Sequence, residues 1–119
     1  MREILFRGKR IDSDKWAYGS LILWGDGYAE ICISSSEEHG AQDKVLVCPE
    51  TVGQYTGMKD KNGNRIFEGD ILSIWNDRND VVVFEDGAFI LEDTAIPMRF
   101  ANKFEVIGNI TDNPELLEK

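Results

Sequence analysis

The sequence predicts a mainly β protein, in which a small β lobe is followed by an SH3-like barrel. Two observations support this. Most apolar residues occur in short clusters with β-type alternation, and helical periodicity is scarce. Turn-forming pairs separate these clusters at Asp26-Gly27, Asn62-Gly63 and Asp86-Gly87, where residues that tolerate positive φ favour hairpins. Several short strands joined by tight turns are typical of a barrel or a sandwich.

Four strands are predicted in the N-terminal lobe. The first ends at Gly8, the second alternates around Tyr18, and Asp26-Gly27 turns the chain back into the third. Pro49, which lacks a backbone N–H, closes the fourth. The polar residues between the last two strands are predicted to form a surface loop. The predicted strands are residues 4–6, 16–24, 28–33 and 44–48, with the loop at 34–42.

The second lobe is predicted to begin with a less regular segment at 50–58 and to continue through short strands. Ile66-Phe67 and the turn Glu68-Gly69-Asp70 lead into one strand, and 76–80 forms a polar tip. Gly108 indicates a bulge or a close backbone approach in the last strand. These strands are predicted at residues 71–75, 81–84, 88–91 and 104–111.

Two short helical segments complete the prediction. Near 96–103, Pro97 suits a first helical turn, and Met98, Ala101 and Phe104 could share one face. At the C-terminus Asn113 is a candidate N-cap before a proline, which predicts one helical turn over 114–117.

A length of 119 residues fits a single domain, 1–119, with lobes at 1–48 and 49–119. The net charge of −9 favours solubility and disfavours non-specific binding to DNA or to anionic lipid. No apolar run approaches the ~20 residues of a membrane span, and the N-terminus lacks the apolar core of a signal peptide. A cytoplasmic protein with Cys32 and Cys48 reduced is the simplest expectation.

Four patterns resemble functional sites, and each has a simpler explanation. The segment Asp60–Asn64 has oxygen ligands at the first positions of a calcium loop, but glycine falls at position 4 and Ile71 occupies position 12, so a hairpin turn is favoured. Glu68 and Asp70 could pair as carboxylates, but a turn in which Asp70 accepts backbone N–H groups is favoured. His39 lies in a polar loop without an evident orienting partner.

The fourth pattern is a set of aromatic residues that could stack on single-stranded nucleic acid next to a basic N-terminal segment. Core packing is favoured instead, because such a platform needs interleaved cations and the chain as a whole is acidic. The aromatic residues are Trp16, Trp24, Trp75, Tyr18, Tyr28 and Tyr55, and the basic residues are Arg7, Lys9, Arg10 and Lys15. No catalytic, cofactor-binding or metal-binding residue is therefore assigned.

Longer motifs resemble a known family. They are PETVGQYTG at 49–57, KDKNG at 59–63, IFEGDI at 66–71, FEDGAF at 84–89 and EVIGNITDNPELL at 105–117, together with the opening MREILFRGKRID. In these motifs the chain resembles the YopX-like family of phage and prophage proteins over nearly its whole length. The resemblance implies a small β-rich protein with an SH3-like lobe, encoded by a bacteriophage or a prophage. It brings no established reaction, cofactor or catalytic residue.

The favoured function is therefore a non-enzymatic accessory protein of the bacterial cytoplasm, which binds an unidentified host or phage protein. The alternative is a nucleic-acid-linked module, which either binds nucleic acid or mimics DNA with its carboxylates. An enzyme with an unrecognised site is the third hypothesis. A homo-oligomer formed by pairing of edge strands is also expected to be possible. The variable stretches 34–44 and 92–103 are candidate binding surfaces.

Overall fold

The computed structural model describes residues 2–34 and 42–118. Ten strands in two antiparallel sheets make up most of this part of the chain, so the prediction of a mainly β fold is confirmed. The strands are β1 (Phe6–Lys9), β2 (Trp16–Leu23), β3 (Ala29–Ser34), β4 (Gln42–Val47), β5 (Gly53–Lys59), β6 (Arg65–Phe67), β7 (Asp70–Ile74), β8 (Arg78–Glu85), β9 (Ala88–Leu91) and β10 (Glu105–Asn109). Three short 3-10 helices cover Pro49–Thr51, Met98–Lys103 and Pro114–Leu117.

The chain forms two compact units, Met1–Gln54 and Tyr55–Lys119, and the boundary lies inside β5. Gly53 and Gln54 pair with β1 in the first unit, and the later residues of β5 pair with β6 in the second. The segment 50–58 is thus a 3-10 turn followed by a strand, and the prediction of a less regular segment was wrong there.

The first unit is an antiparallel sheet in the order β4-β3-β2-β1, and it is curled along its length. Its two ends meet where Arg10 bridges Val47. Two backbone hydrogen bonds reinforce this closure: Ile11 N–H donates to Leu46 O at 3.1 Å, and Cys48 N–H donates to Lys9 O at 2.8 Å. The inner face carries the core of the unit, in which the fully buried residues are Ala17, Ala29, Ile31 and Val47.

Two glycines permit the tight curl of this sheet. A Cβ at Gly8 would lie 2.8 Å from a side-chain carbon of Val47, across the meeting point of β1 and β4. A Cβ at Gly19 would lie 2.1 Å from the carbonyl oxygen of Cys32 on the neighbouring strand. Gly8 therefore lies inside β1 because the backbone approach requires it, and the prediction that it ends the first strand was wrong.

The second unit contains an open sheet in the order β10-β7-β8-β9. The predicted barrel is therefore not closed: within the described residues β9 and β10 are edge strands of this sheet. A bulge interrupts β10 between Val106 and Gly108, as the glycine predicted. One face of the sheet packs with the 3-10 helix Met98–Lys103 around a core of buried residues, which comprises Ile66, Leu72, Ile74, Val82, Leu91, Met98, Ala101 and Phe104.

Both helical segments occur where they were predicted, as 3-10 helices. Met98, Ala101 and Phe104 are buried together, and Pro97 precedes the first helical residue with an extended backbone. At the C-terminus the side chain of Asn113 makes no cap hydrogen bond to its helix. Its Oδ1 instead accepts the backbone N–H of Asn109 at 3.2 Å, so the predicted N-cap was wrong in this detail.

The three predicted hairpin turns are present, with different geometries. Asp86 and Gly87 both have positive φ (52° and 81°) and form the two-residue loop between β8 and β9. At Asp26-Gly27 and Asn62-Gly63 only the glycine has positive φ, and three residues form each loop. In β8 the strand already starts at Arg78, so the predicted polar tip at 76–80 is shorter than expected.

Candidate functional site

The outer face of the first sheet carries side chains that its own core leaves exposed. The registers pair Ile22 with Glu30 and Glu30 with Leu46, which places these residues in one row across three strands. Ile11 extends the row beyond β4, because its backbone N–H donates to Leu46 O. Trp24 lies two residues after Ile22, and Tyr28 lies two residues before Glu30. These two residues are opposite each other, and the backbone N–H of Trp24 donates to Tyr28 O at 2.9 Å.

Together with Glu30 between them, these neighbours form one surface. Its apolar members, Ile11, Ile22, Trp24, Tyr28 and Leu46, are here termed the apolar patch. Ile22 is partly buried, and the other four side chains are 46% to 55% exposed. Single exposed apolar residues are ordinary in soluble proteins, but adjacent large ones mark interaction surfaces more often than chance. The arrangement is suited to docking of an apolar partner surface.

One charged side chain interrupts the patch. Glu30 lies in the row between Ile22 and Leu46, and its Oε1 accepts the indole N–H of Trp24 at 2.8 Å. This hydrogen bond fixes both the indole ring and the carboxylate on the outer face. At the margin of the patch, Arg10 Nε lies 3.2 Å from Asp12 Oδ1. The basic side chain nearest to Ile11 in sequence is therefore already in an ion pair.

The aromatic side chains fall into two groups, and the core-packing interpretation holds for only part of them. Tyr55 is buried and packs on Phe67, and Trp16 is partly buried. The interpretation was wrong for the rest, which are exposed: Tyr18, Trp24, Tyr28 and Trp75. Position in the sequence could not separate the two groups, because every one of these rings lies in or next to a strand.

The structure also brings basic and aromatic residues together, as a nucleic-acid platform requires. Arg7 lies opposite Tyr18 and Lys9 opposite Trp16 on paired strands. However, Arg7 is only 6% exposed, and its guanidinium lies 4.8 Å from the centre of the Trp16 ring. That contact covers one face of the indole ring, so Arg7 and Trp16 leave less aromatic surface on which a nucleobase could stack.

In the second unit Asp60 holds a turn rather than a cation. Its Oδ1 accepts the N–H groups of Asn62 and Asn64, both at 2.9 Å, and its Oδ2 accepts the Val106 N–H at 2.9 Å. Burial alone raises the pKa of this carboxyl, but the N–H donors of Val106, Asn64 and Asn62 together lower the pKa below its ordinary value. The carboxylate oxygens of Asp60, which would bind the ion in a calcium loop, thus accept backbone N–H groups instead.

Two further buried carboxylates of this unit also accept backbone N–H groups. Asp70 Oδ2 accepts the Phe67 N–H at 2.7 Å, which matches the turn-forming role predicted for Asp70. Asp80 accepts four hydrogen bonds: the N–H groups of Val81, Asp93 and Thr94 and the hydroxyl of Thr94, at 2.8–3.0 Å. Both carboxylates stabilise local backbone structure.

A polar groove of about 850 Å³ adjoins Asp80 in the second unit. The β7–β8 turn, residues 92–94 and the C-terminal 3-10 helix line it. Arg78 and Asp93 form an ion pair with each other, and Asn79 Nδ2 donates to Leu116 O at 2.9 Å. Of the six ionisable side chains that line the groove, Arg78, Asp80 and Asp93 are therefore engaged with the protein itself, and the exposed side chains of Asp77, Glu92 and Glu118 make up the rest.

The remaining sequence candidates contribute little to a site. His39 and the loop centred on it lie outside the described residues, as does most of the 34–44 stretch. Cys32 and Cys48 are partly buried thiols that are not joined in a disulfide. Among residues 2–34 and 42–118, no group of three or more His, Cys, Asp or Glu side chains is arranged to hold a metal ion. The same ranges contain no helix that is both long and apolar enough to cross a membrane.

Sequence reasoning missed Ile11, Leu46 and Glu30. They are separated by 16 to 35 positions in sequence, and only strand pairing makes them neighbours. One signal was present in the alternation of β2, where Trp16, Tyr18, Ile22 and Trp24 fall on the face opposite to Ala17 and Leu21. That alternation identifies an apolar outer face without revealing its extent.

Comparison with known proteins adds a family and a fold. A family model described as YopX protein matches residues 5–118. The crystal structure of protein EF1440 from Enterococcus faecalis is similar, with a TM-score of 0.63 and 24% sequence identity over 99% of this chain and 100% of that chain. A search among curated proteins finds no match. At this identity the structural similarity concerns the fold alone.

Proposed function

We propose that this chain, which belongs to the YopX family, is a non-enzymatic accessory protein that acts by binding another protein through the apolar patch. The observation that carries the proposal is the exposure of four large neighbouring side chains, Ile11, Trp24, Tyr28 and Leu46, on the first sheet. Their removal from water on docking would provide the main favourable free energy of association.

The composition of the patch suits a protein partner. Tryptophan and tyrosine are the residue types that most often carry binding energy at interfaces, since they offer large contact areas at a small cost in side-chain entropy. Trp24 is also held in place by its hydrogen bond to Glu30, so less conformational freedom is lost on binding.

A role without catalysis is favoured by how the second unit uses its buried carboxylates. Catalysis by a carboxylate or a histidine needs a group poised to exchange a proton with a substrate. Asp60, Asp70 and Asp80 instead accept hydrogen bonds from the backbone. The setting that we propose is the bacterial cytoplasm, in a cell infected by a phage or carrying a prophage, with a host or phage protein as the partner.

Affinity capture with matched baits tests the proposal. The wild-type chain, the double variant Trp24→Ser/Leu46→Ser and the control Phe84→Ser are immobilised and exposed to lysate of the bacterial host with its phage genes induced. Phe84 is a suitable control because it is an exposed aromatic residue of the second unit. We expect a protein that both wild type and control retain and that the double variant loses by about tenfold or more.

Two results would count against the proposal. Recovery of no specific protein by the wild type rejects a protein-binding role under these conditions. Equal recovery by the wild type and the double variant rejects the apolar patch as the binding surface. Circular dichroism of each bait establishes that the substitutions leave the fold intact, which is expected because the replaced side chains are exposed.

A nucleic-acid-linked role is the second candidate, because the register of β1 and β2 brings Lys9 next to Trp16 and Arg7 next to Tyr18. Fluorescence anisotropy with labelled single- and double-stranded DNA at low salt tests direct binding. A dissociation constant in the micromolar range that weakens steeply with salt, and that Tyr18→Ser raises several-fold, would support it. No change in anisotropy at micromolar protein would reject it. DNA mimicry requires instead that the chain displace DNA from a host protein.

A further inference from the structure

We infer that the protein partner places an arginine or lysine side chain against Glu30, in the middle of the apolar patch. The inference deepens the proposed function and rests on it, since it names the chemistry of the partner at the same surface. It makes Glu30 the residue that determines specificity, while Trp24, Leu46 and Ile11 provide contact area.

The position of Glu30 is the first step. Its row neighbours on the outer face are Ile22 and Leu46, and the indole of Trp24 donates to its Oε1. A partner surface that covers the patch must therefore also cover this carboxylate. Glu30 cannot rotate out of the interface without losing the hydrogen bond from Trp24.

The hydrogen bonding of Glu30 is the second step. Oε1 is occupied by the Trp24 indole N–H, but Oε2 accepts no hydrogen bond from any residue in the ranges that the structure describes. Water satisfies this oxygen while the face is exposed. A carboxylate that is covered by an apolar surface without a new donor would be a buried unpaired charge, which strongly opposes association.

A cationic side chain removes this penalty. An arginine or lysine of the partner would donate to Oε2, and a charge-assisted bond of this kind is stronger in an apolar environment than in water. The adjacent indole can also receive the cation on its face. The net charge of −9 on the chain attracts a basic partner over longer distances and speeds the encounter.

The same reasoning excludes a symmetric pair of chains at this surface. In a two-fold dimer formed through the apolar patch, each contact occurs twice, and Glu30 of one copy would lie in the region of Glu30 of the other. Two carboxylates would then share an apolar interface between two chains that each carry a charge of −9. A basic partner of different sequence meets neither cost.

Selection from a random linear peptide library on the full chain tests the inference. The library is selected separately on the wild type, on Glu30→Lys and on Leu46→Ser. We expect the wild type to enrich peptides with arginine or lysine flanked by apolar residues. Glu30→Lys should enrich peptides with acidic residues in place of the basic ones. Leu46→Ser should enrich neither group of peptides.

Individual selected peptides then provide the quantitative test by fluorescence anisotropy. Glu30→Gln keeps an oxygen acceptor for the Trp24 indole but removes the charge, and we expect it to weaken binding about tenfold or more. Glu85→Gln is the matched control, since it makes the same change in charge at an exposed site of the second unit, and it should change binding less than twofold. Replacing the cationic residue of the peptide by glutamine should make its binding insensitive to Glu30→Gln.

The outcomes separate the inference from the proposed function. Peptides that lose binding on Leu46→Ser but show no basic preference, and that bind Glu30→Gln as well as the wild type, overturn the inference and leave the apolar patch as a binding surface. Peptides that bind the wild type and Leu46→Ser equally, or a selection that enriches nothing, overturn both. Leu46→Ser also excludes general attraction to an acidic protein as the cause, because it leaves the net charge unchanged.

Discussion

At the scale of single residues, the buried carboxylates of the second unit illustrate how an apparent ligand set becomes structural. Asp60 connects the turn before β6 with the edge strand β10, because one oxygen serves Asn62 and Asn64 and the other serves Val106. The same spacing of acids and asparagines also begins a calcium loop. The difference lies in which donors the fold brings within reach, and here those donors are backbone N–H groups.

Replacing Asp60 should therefore affect stability in a pH-dependent way. We predict that Asp60→Asn lowers the free energy of unfolding at pH 7 by about 2 kcal/mol, because one buried N–H donor then faces an amide NH₂ group. The pKa of Asp60 is lowered in the folded state from an ordinary value of 3.8. Its ionised form thus contributes stability above that pH, and the contribution is lost as pH falls through the folded pKa.

Urea denaturation at pH 7 and at several values below pH 4 measures this effect. The difference between wild type and Asp60→Asn should be largest at pH 7 and should decrease as the solution becomes more acidic. Asp14→Asn makes the same change in net charge at an exposed loop position and should shift stability by less than about 0.5 kcal/mol. A difference between wild type and Asp60→Asn that is independent of pH would contradict the assigned role.

At the scale of elements, the curl of the first sheet depends on close contact between neighbouring strands. β2 approaches β3 so closely at Gly19 that a Cβ would lie 2.1 Å from the Cys32 carbonyl oxygen. Since this neighbour is backbone, it cannot move aside as a flexible side chain could. The sequence shows Gly19 inside an alternating strand, but the reason for a glycine there becomes visible only with β3 in place.

We predict that Gly19→Ala destabilises the protein by about 2 kcal/mol or more, because the added methyl group forces the two strands apart. Gly25→Ala is a matched control: no atom of the described residues lies within 4 Å of the position that its Cβ would take, and its φ is not positive. It should change stability by less than about 0.5 kcal/mol or slightly increase it. Thermal unfolding of Gly19→Ala and Gly25→Ala tests this prediction. Equal melting temperatures of the two variants would show that β2 and β3 can separate without loss of stability.

At the scale of the whole molecule, charge is unevenly distributed along the chain. Residues 1–54 contain six basic and nine acidic side chains, and residues 55–119 contain seven and thirteen, so the net charges are −3 and −6. Like charge on every copy opposes self-association at neutral pH and low salt, where screening is weak. A homo-oligomer stays a prediction, and it is expected to form only where this repulsion is reduced.

Sedimentation velocity provides the corresponding test. We predict a monomer at pH 7 and low salt, and association as the pH approaches the isoelectric point of about 4.5, where the net charge vanishes. Raising the salt concentration at pH 7 should also favour association, but more weakly. Salt screens the repulsion between copies, since the Debye length falls to about 8 Å at physiological ionic strength. A stable dimer at pH 7 and low salt would show that an interface outweighs the repulsion.

Alternation and turn chemistry in the sequence were sufficient to predict a mainly β fold, the hairpin at Asp86-Gly87, the bulge at Gly108 and the buried face of Met98 and Ala101. These features arise from interactions between residues that are close in the chain, so local pattern determines them. Strand β5 was missed because two glycines and a proline in its neighbourhood indicate irregular structure on local grounds, whereas pairing with β1 and β6 makes it a strand.

The sequence by itself therefore determined the fold class, the turns, the acidic character and the resemblance to the YopX family. Only the tertiary structure decided that the second sheet stays open, that Asp60 serves the backbone, and that Ile11, Leu46 and Glu30 become neighbours on one face. The physical reason is that strand register and backbone approach depend on contacts between distant segments, and a single sequence does not encode these contacts in any local pattern.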